Sequence, residues 1–187
     1  MPTPDWPLWV KYDNDIEKKR TTRDVMQWPQ SLQNLYGYLV TPSAVGQVAE
    51  ITSIYGLRPD PTLHGGGFHV CDKGGFLGPH IDYAVHPKFQ NMQRKVNYIL
   101  YMNQNWNSDW GGETLLYNDD ATEVVARVQP KYNRALIWVP GDVTYHSVNP
   151  LADVADPRVT LAVYYIAPKE PGVTRKRALF VPSRKVA

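Results

Sequence analysis

A succession of short β-rich segments occupies the chain from residue 68 onward, and this pattern constrains the fold more than any other feature. The segments combine β-branched and aromatic residues, and clusters of Gly, Pro, Asn and Asp separate them as turns. They lie at 68–71, 76–80, 95–103, 112–117, 124–128, 135–139, 145–148 and 159–166. Because no helical pattern intervenes, the spacing predicts an antiparallel sandwich or jelly roll within a mainly β fold with flanking helices.

A helix is predicted before this β region. Thr41 followed by Pro42 is typical of a helix start, apolar residues recur at helical spacing over 45–54, and Gly56 is a natural stop. We expect this helix to pack its apolar face on the outside of the sheet. The highly charged stretch 11–23 is interpreted as an exposed helix or loop on a solvated surface.

The length of 187 residues favours one well-buried domain. Within it we expect N-terminal helical support at 1–60, a β core at 61–168 and a basic C-terminal tail at 169–187. A solvated tail is the default interpretation, and contact with an acidic partner is the alternative.

Three residues of the β region have the chemistry of a metal site. His80 and Asp82 are two positions apart on one predicted strand, so their side chains point to the same side. His146, from a distant strand, would add a second imidazole. Two histidines and one carboxylate leave coordination positions open and are typical of non-haem Fe(II) sites. The alternative is that all three are ordinary polar residues of strands.

Arg158 makes the metal interpretation more specific. It opens the otherwise apolar strand 158–165, twelve residues after His146. A buried arginine needs an anionic partner, and its planar fork suits bidentate pairing with a carboxylate. On the antiparallel neighbour of the His146 strand, Arg158 would lie near the metal. A small dicarboxylate could then chelate iron at one end and pair with arginine at the other, which is the chemistry of 2-oxoglutarate.

With these residues in place, the chain resembles the Fe(II)/2-oxoglutarate-dependent dioxygenases of the prolyl 4-hydroxylase-like branch. The resemblance covers roughly 68–167 and rests on 73–82, 97–103 with Trp106, 111–115, 146–148 and Arg158. It implies a double-stranded β-helix in which His80, Asp82 and His146 bind iron and Arg158 binds the distal carboxylate of 2-oxoglutarate. It also implies a hydrogen bond from Tyr101 to that carboxylate, and ascorbate as a supporting reductant.

Strand alternation adds a detail to this picture. It places Asn97, Ile99 and Tyr101 on the barrel interior, so Asn97 and Tyr101 are both expected to contact the cofactor. Tyr98, Leu100 and Met102 would pack outside.

The resemblance implies hydroxylation of prolyl residues in a polypeptide, with conversion of 2-oxoglutarate and O2 to succinate and CO2. A free amino acid or another small molecule is the alternative substrate. A metal-binding β-barrel without turnover is the alternative from a different class of protein. Relatives often carry Tyr nine or ten positions before the first iron-binding histidine, where this chain has Cys71 and Val70.

Composition limits the classes of partner and the compartment that we expect for this protein. A net charge of +2 gives no indication of nucleic-acid binding. Cys71 is the only cysteine, which excludes an internal disulfide and fits a reducing compartment. No apolar stretch approaches a membrane span, and the N-terminus lacks the pattern of a signal peptide. We therefore expect a cytoplasmic protein without membrane or nucleic-acid partners.

Several other polar and aromatic residues could lie at the site or in the core. Structural or surface roles are expected for His64, His69 and His86, with metal binding by His86 in place of His80 as an alternative. Glu113 is expected to have a structural role at a strand edge, with a catalytic role as the alternative. Core or rim positions are expected for Trp106, Trp110 and Trp138. Tyr164 should point inward with Arg158, six residues away, and is a candidate for the wall that faces the substrate. The polar stretch 83–94 is expected to form a loop over the site that could clamp an extended peptide.

Overall fold

The computed structural model describes residues 8–153 and 155–181. The strands are β1 (Val10–Asp13), β2 (Glu17–Thr22), β3 (Arg58–Pro59), β4 (Gly67–Cys71), β5 (Phe76–Ile81), β6 (Met92–Tyr101), β7 (Thr114–Tyr117), β8 (Val124–Val128), β9 (Ala135–Trp138), β10 (His146–Val148), β11 (Arg158–Pro168) and β12 (Leu179–Phe180). The α-helices are α1 (Gln30–Leu39) and α2 (Pro42–Thr52). Residues 1–7, on which the signal-peptide expectation rests, lie outside the described residues.

Two four-stranded antiparallel sheets form the core, in the strand orders β8-β7-β10-β5 and β4-β11-β6-β9. Strands that follow one another in the chain mostly lie in opposite sheets, which is the arrangement of a double-stranded β-helix. β2 joins the two sheets, because its first half pairs with β5 and its second half with β4. The predicted jelly roll is therefore confirmed.

Both helices pack on the face of the β4-β11-β6-β9 sheet that points away from the barrel interior. The Thr41 side chain accepts a hydrogen bond from the backbone N–H three residues on, so the predicted start of α2 is confirmed. The helix ends at Thr52 rather than Gly56, because Ser53 already has a left-handed backbone. The sequence pattern did not predict α1. No helix in the described part of the chain is long and apolar enough to cross a membrane.

The expectation of an exposed helix or loop at 11–23 is wrong, because this stretch forms β1 and β2. Arg20 in β2 is only 7% exposed, and its Nε and Nη2 donate to Asp72 at 2.8 and 2.9 Å. Glu17 and Lys19 pair with each other at 2.8 Å. Three of the four charged residues of β2 thus have ion-pair partners, and the N-terminal 60 residues are more than a helical support.

The expectation of a solvated tail at 169–187 is also wrong for the described residues, which extend to 181. β2 pairs only with the first two residues of β5, which leaves the backbone of the last residues free on that side. β12 pairs with those last two residues, and Val181 N–H donates to Pro79 O at 2.8 Å. The tail therefore returns to the core because β5 offers unpaired backbone groups.

Candidate active site

His80, Asp82 and His146 come together where β5 and β10 pair. The two histidines are opposite each other in the antiparallel register, and Asp82 follows directly after β5. Nε2 of His80 lies 3.7 Å from Oδ1 of Asp82, and Nε2 of His146 lies 3.5 Å from Oδ2. All three residues are buried, and one ligand atom from each lies within 4.8 Å of the others. A single metal ion fits between these atoms.

The two imidazoles are oriented for metal binding. Nδ1 of His80 lies 2.9 Å from the carbonyl oxygen of Gly78, and Nδ1 of His146 lies 3.1 Å from that of Thr144. A carbonyl oxygen only accepts, so each Nδ1 carries the proton and each Nε2 keeps its lone pair for the metal. Burial, with a contribution from His80, lowers the pKa of His146 to about 4, so its ring is neutral at physiological pH.

Asp82 is held by two polar side chains that come from β6. Arg94 Nη2 lies 3.1 Å from its Oδ2, and Asn97 Nδ2 donates to the same oxygen at 2.7 Å. Arg94 Nε in turn donates to Asn97 Oδ1. Burial alone would raise the pKa of Asp82, but Arg94 and the two histidines hold it well below its usual range. The carboxylate is therefore ionised and fixed in direction. Asn97 contacts the metal-site carboxylate, and its predicted contact with the cofactor stays a prediction.

The sequence did not predict that Arg94 points to the interior, because a β-bulge interrupts the strand alternation. Simple alternation places Arg94 on the face opposite to Asn97. The register between β6 and β11 shifts at Lys95, so Val96 pairs with Tyr165 while Arg94 pairs with the next residue, Ile166. The shift turns Arg94 to the interior, where it is 3% exposed. After the bulge the predicted alternation is confirmed. Ile99 lines the cavity, while Tyr98 and Leu100 pack toward the helices.

Arg158 opens β11 as predicted and is 3% exposed. Its Nε donates to the carbonyl oxygen of Gly112 at 2.7 Å, and its Nη2 donates to Thr114 Oγ1 at 3.1 Å. Within residues 8–153 and 155–181, no carboxylate forms an ion pair with it. A buried guanidinium without an acidic partner fits the role of receptor for an anionic ligand.

Tyr101 lies beside Arg158 but does not face the cavity. Its hydroxyl donates to Thr114 Oγ1 at 2.7 Å, and its ring centroid lies 5.3 Å from the Arg158 guanidinium carbon. Tyr101 thus orients Thr114, which lines the cavity. The direct hydrogen bond from Tyr101 to a carboxylate stays a prediction. Thr114 itself was missed, because its position depends on how β7 pairs with its neighbours.

One cavity of about 430 Å³ contains the three metal-site residues and Arg158. Tyr164 lines it, as the alternation from Arg158 predicted, and so do Tyr83 and Trp138. Tyr83 donates to the carbonyl oxygen of His64 at 3.0 Å, and Tyr164 donates to that of Gly65 at 2.9 Å. Both rings are therefore fixed in place at the wall of the cavity.

Other residues singled out from the sequence have mostly structural environments. Glu113 is buried and accepts hydrogen bonds from Gln129 and Asn149. His86 is fully buried, with Nε2 3.2 Å from Asp60 Oδ2. Trp106 and Trp110 form an edge-to-face pair outside the main cavity.

His64, His69 and Trp138 all line the cavity, so their environment is that of the cavity wall. His69 is the inward-facing residue of β4 beside Cys71, and Trp138 lies 5.0 Å from the His146 ring.

The predicted loop at 83–94 is only partly a loop over the site. Residues 83–86 are buried, residues 87–91 are exposed, and the remainder belongs to β6. The segment thus forms a fixed wall next to the metal site, with an exposed tip.

The C-terminal segment 175–181 closes one side of the cavity, which sequence reasoning missed. The ring of Phe180 stacks on His80, with a centroid distance of 4.9 Å and an interplanar angle of 20°. Lys176, Arg177 and Ala178 also line the cavity. The only signal in the sequence is the apolar run 178–181 within an otherwise basic stretch.

Comparison with solved structures identifies similar folds. A Pseudomonas putida prolyl-4-hydroxylase is 19% identical, with 86% of this chain and 77% of that chain covered at a TM-score of 0.58. A Trichoplax adhaerens prolyl hydroxylase, solved with a peptide fragment of the hypoxia inducible factor oxygen degradation domain, is 18% identical, with 85% and 70% covered at 0.59. A viral collagen prolyl hydroxylase from Paramecium Bursaria Chlorella virus-1, solved with 2-oxoglutarate, is 12% identical, with 84% and 81% covered at 0.54. A sequence comparison with curated proteins finds no significant match.

A family model settles the class. The model described as 2OG-Fe(II) oxygenase superfamily matches residues 50–166, more than half of the chain and all the residues of the metal site. This family implies Fe(II) and 2-oxoglutarate as cofactors, and the His-Asp-His cluster and Arg158 fit both. The chain belongs to the 2OG-Fe(II) oxygenase superfamily and is a 2-oxoglutarate-dependent dioxygenase.

Proposed function

We propose that the enzyme hydroxylates a prolyl residue in a polypeptide, consuming 2-oxoglutarate and O2 and releasing succinate and CO2. In this proposal His80, Asp82 and His146 hold Fe(II), and Arg158 binds the distal carboxylate of 2-oxoglutarate. When bound, iron and 2-oxoglutarate together supply the oxidising power to hydroxylate an unactivated C–H bond. The side chains that line the cavity bind and orient the reactants.

This proposal rests mainly on one observation: Arg158 is buried without an acidic partner among the described residues, and it shares one cavity with the metal-site residues. Two of its five N–H groups are committed to Gly112 and Thr114. Three remain, two on Nη1 and one on Nη2, and these form the edge that suits a bidentate carboxylate. The commitments on the other edge fix the plane of the guanidinium, so the cofactor has one favoured direction.

A prolyl target is supported by the chemistry of the cavity wall. Tyr83 and Tyr164 present aromatic rings next to the metal site, and the Arg94 guanidinium lies 3.3 Å from the centroid of the Tyr164 ring. A pyrrolidine ring can pack against such a flat, fixed surface. The similar folds described above also belong to prolyl hydroxylases, at identities of 12–19%.

A polypeptide rather than a free amino acid is supported by a second cavity of about 400 Å³ that adjoins the first. The two share Tyr12, Glu17, Lys19, Gly65 and His69 as walls. Together they form a groove that continues from the metal site past β2 to Leu8 and Arg23. A single amino acid needs no such extension, whereas an extended chain on both sides of the target does.

The test is incubation of the Fe(II)-loaded enzyme with 2-oxoglutarate, O2 and a set of prolyl peptides, followed by mass spectrometry and succinate measurement. We expect a gain of one oxygen atom on proline, with a matching amount of succinate. Hydroxylation of free amino acids but not of peptides would favour the small-molecule alternative. Binding of both cofactors without consumption of 2-oxoglutarate in the presence of any substrate would favour a non-catalytic barrel.

A further inference from the structure

The C-terminal segment 175–181 is attached to the metal-binding strand at two points, and the first is Arg175. Its carbonyl oxygen accepts hydrogen bonds from the backbone N–H groups of Ala84 and Val85, at 2.8 and 2.9 Å. Its Nε donates to the carbonyl oxygen of Asp82 at 2.8 Å, and its Nη1 pairs with Asp142 at 2.7 Å. Arg175 is thereby fixed beside one of the three metal-site residues.

The second attachment is β12. Phe180 pairs with His80 in the β ladder and stacks its ring on the same histidine. Val181 continues the attachment through its hydrogen bond to Pro79. Only residues 176–178 lie between Arg175 and β12, so they form a short loop that is held at both ends and lines the cavity.

The loop 176–178 places two basic residues in the wall of the cavity. Lys176 and Arg177 are exposed, and both line the cavity that contains the metal site. Among the described residues, neither forms an ion pair. A three-residue loop between two fixed points has little backbone freedom, so both side chains start from a fixed position in the wall of the cavity.

The other charged side chains that line the cavity each have a partner. Lys19 pairs with Glu17 at 2.8 Å, and Arg94 pairs with Asp82 at 3.1 Å. Arg158 is matched by the distal carboxylate of 2-oxoglutarate in the proposed function. Lys176 and Arg177 are therefore cationic side chains of the cavity that pair with no anion of the described residues or of the proposed cofactor, and they are available to an anionic group on the substrate.

We propose that Lys176 and Arg177 are specificity-determining residues that select polypeptides with acidic side chains beside the target proline. This inference rests on the proposed function and adds the charge of the preferred substrate. Because the two side chains are exposed at the wall of the cavity, they act on substrate binding and leave the cofactor contacts unchanged.

The experiment compares three peptide series with one central proline: neutral flanks, flanks with Asp or Glu, and flanks with Lys. We expect kcat/KM for the acidic series to exceed that for the neutral series by about tenfold at low salt, with the difference shrinking as salt rises. The double variant Lys176→Glu/Arg177→Glu should prefer the basic series. Binding of fluorescently labelled peptides to the enzyme with Fe(II) and 2-oxoglutarate, without O2, gives a second readout.

Lys131→Glu is the control for charge reversal away from the site, because Lys131 is exposed and lines a different surface depression. It should keep the wild-type order of peptides. The neutral double variant Lys176→Gln/Arg177→Gln guards against effects of charge reversal on folding and should lose the preference without inverting it. Equal kcat/KM for all three series in the wild type would overturn the inference while leaving prolyl hydroxylation intact. Failure to hydroxylate any peptide would overturn the proposed function, and this inference with it.

Discussion

The guanidinium of Arg94 lies 3.1 Å from the carboxylate of Asp82, and both groups are buried beneath the metal site. The pair is completed by Asn97, which contacts both side chains. Asp82 therefore depends on β6 for its charge balance and direction, although the other two metal-site residues come from β5 and β10. We therefore expect metal binding to depend on Arg94, although Arg94 is not one of the three metal-site residues.

Arg94→Met should weaken Fe(II) binding by about 10–100-fold, because it removes the partner that orients the ligand carboxylate. It should also lower the free energy of unfolding of the metal-free protein by about 3–5 kcal/mol, because Asp82 is left buried without its cation. Metal titration and urea unfolding measure the two effects.

The matched control for Arg94 is Lys95→Met on the same strand. Lys95 pairs with Glu170, whose side chain is 62% exposed, so this pair contributes little. Equal metal affinities for Arg94→Met and wild type would mean that the Asp82 carboxylate needs no support from β6.

Arg158→Ala should raise the dissociation constant for 2-oxoglutarate by at least about 30-fold, the loss of roughly 2 kcal/mol expected for removing one partner of a buried charge pair. Iron binding should persist, since Arg158 contacts none of the metal-site residues. Anaerobic titration of the Fe(II) form with 2-oxoglutarate, followed by its visible absorption, measures both. Arg127→Ala, an exposed arginine of β8, should behave as wild type. A normal 2-oxoglutarate affinity in Arg158→Ala would remove Arg158 from the cofactor site.

Phe180→Ala should lower the free energy of unfolding by about 1–2 kcal/mol, because the ring that packs on His80 is lost. Metal affinity should fall as well, since the stacked ring helps to hold the imidazole in place. Leu179→Ala is the matched control on the same short strand, because Leu179 is 54% exposed and should change stability by less than about 0.5 kcal/mol. Identical effects of the two substitutions would indicate that β12 supports the site through its backbone alone.

His69 gives the metal-free protein a pH-dependent stability. Burial, reinforced by Lys19, lowers the pKa of His69 to about 3. As pH falls below about 6.5, the unfolded chain takes up a proton at this position and the folded protein does not, so stability decreases with falling pH.

Between pH 6.5 and 5, this single group should contribute a slope of up to about 1.4 kcal/mol per pH unit. His69→Gln should flatten the dependence of the urea unfolding free energy on pH by that amount. An unchanged slope would mean that His69 is protonated in the folded protein at pH 5.

Local chemistry made much of the site predictable. His80 and Asp82 share a face because a strand alternates its side chains, and the same rule places Ile99 and Tyr164 inside the barrel. A buried arginine at the start of an apolar strand indicated an anionic ligand, and Arg158 has no acidic partner among the described residues. These inferences needed only the residue types and their spacing, together with the resemblance carried by the linked motifs.

The charge pattern led to a wrong prediction where charged side chains pair across the sheet. The stretch 11–23 has the composition of a solvated surface, yet it forms β1 and β2. Arg20 can be buried there because Asp72, 52 positions away, accepts both of its hydrogen bonds. An ion pair of this kind joins residues that are far apart in the chain, so the local sequence does not show it.

The sequence by itself predicted a sandwich or jelly roll and indicated His80, Asp82, His146 and Arg158 as candidate site residues, because strand alternation and metal-ligand chemistry are visible in residue types and their spacing. Only the tertiary structure decided the roles of Arg94 and the C-terminal segment. Arg94 turns inward because a bulge shifts the register of β6 against β11. The segment returns to the site because β2 leaves the end of β5 unpaired, and β12 satisfies those backbone groups. Both outcomes depend on which strands become neighbours, and that is settled only when the whole sheet forms.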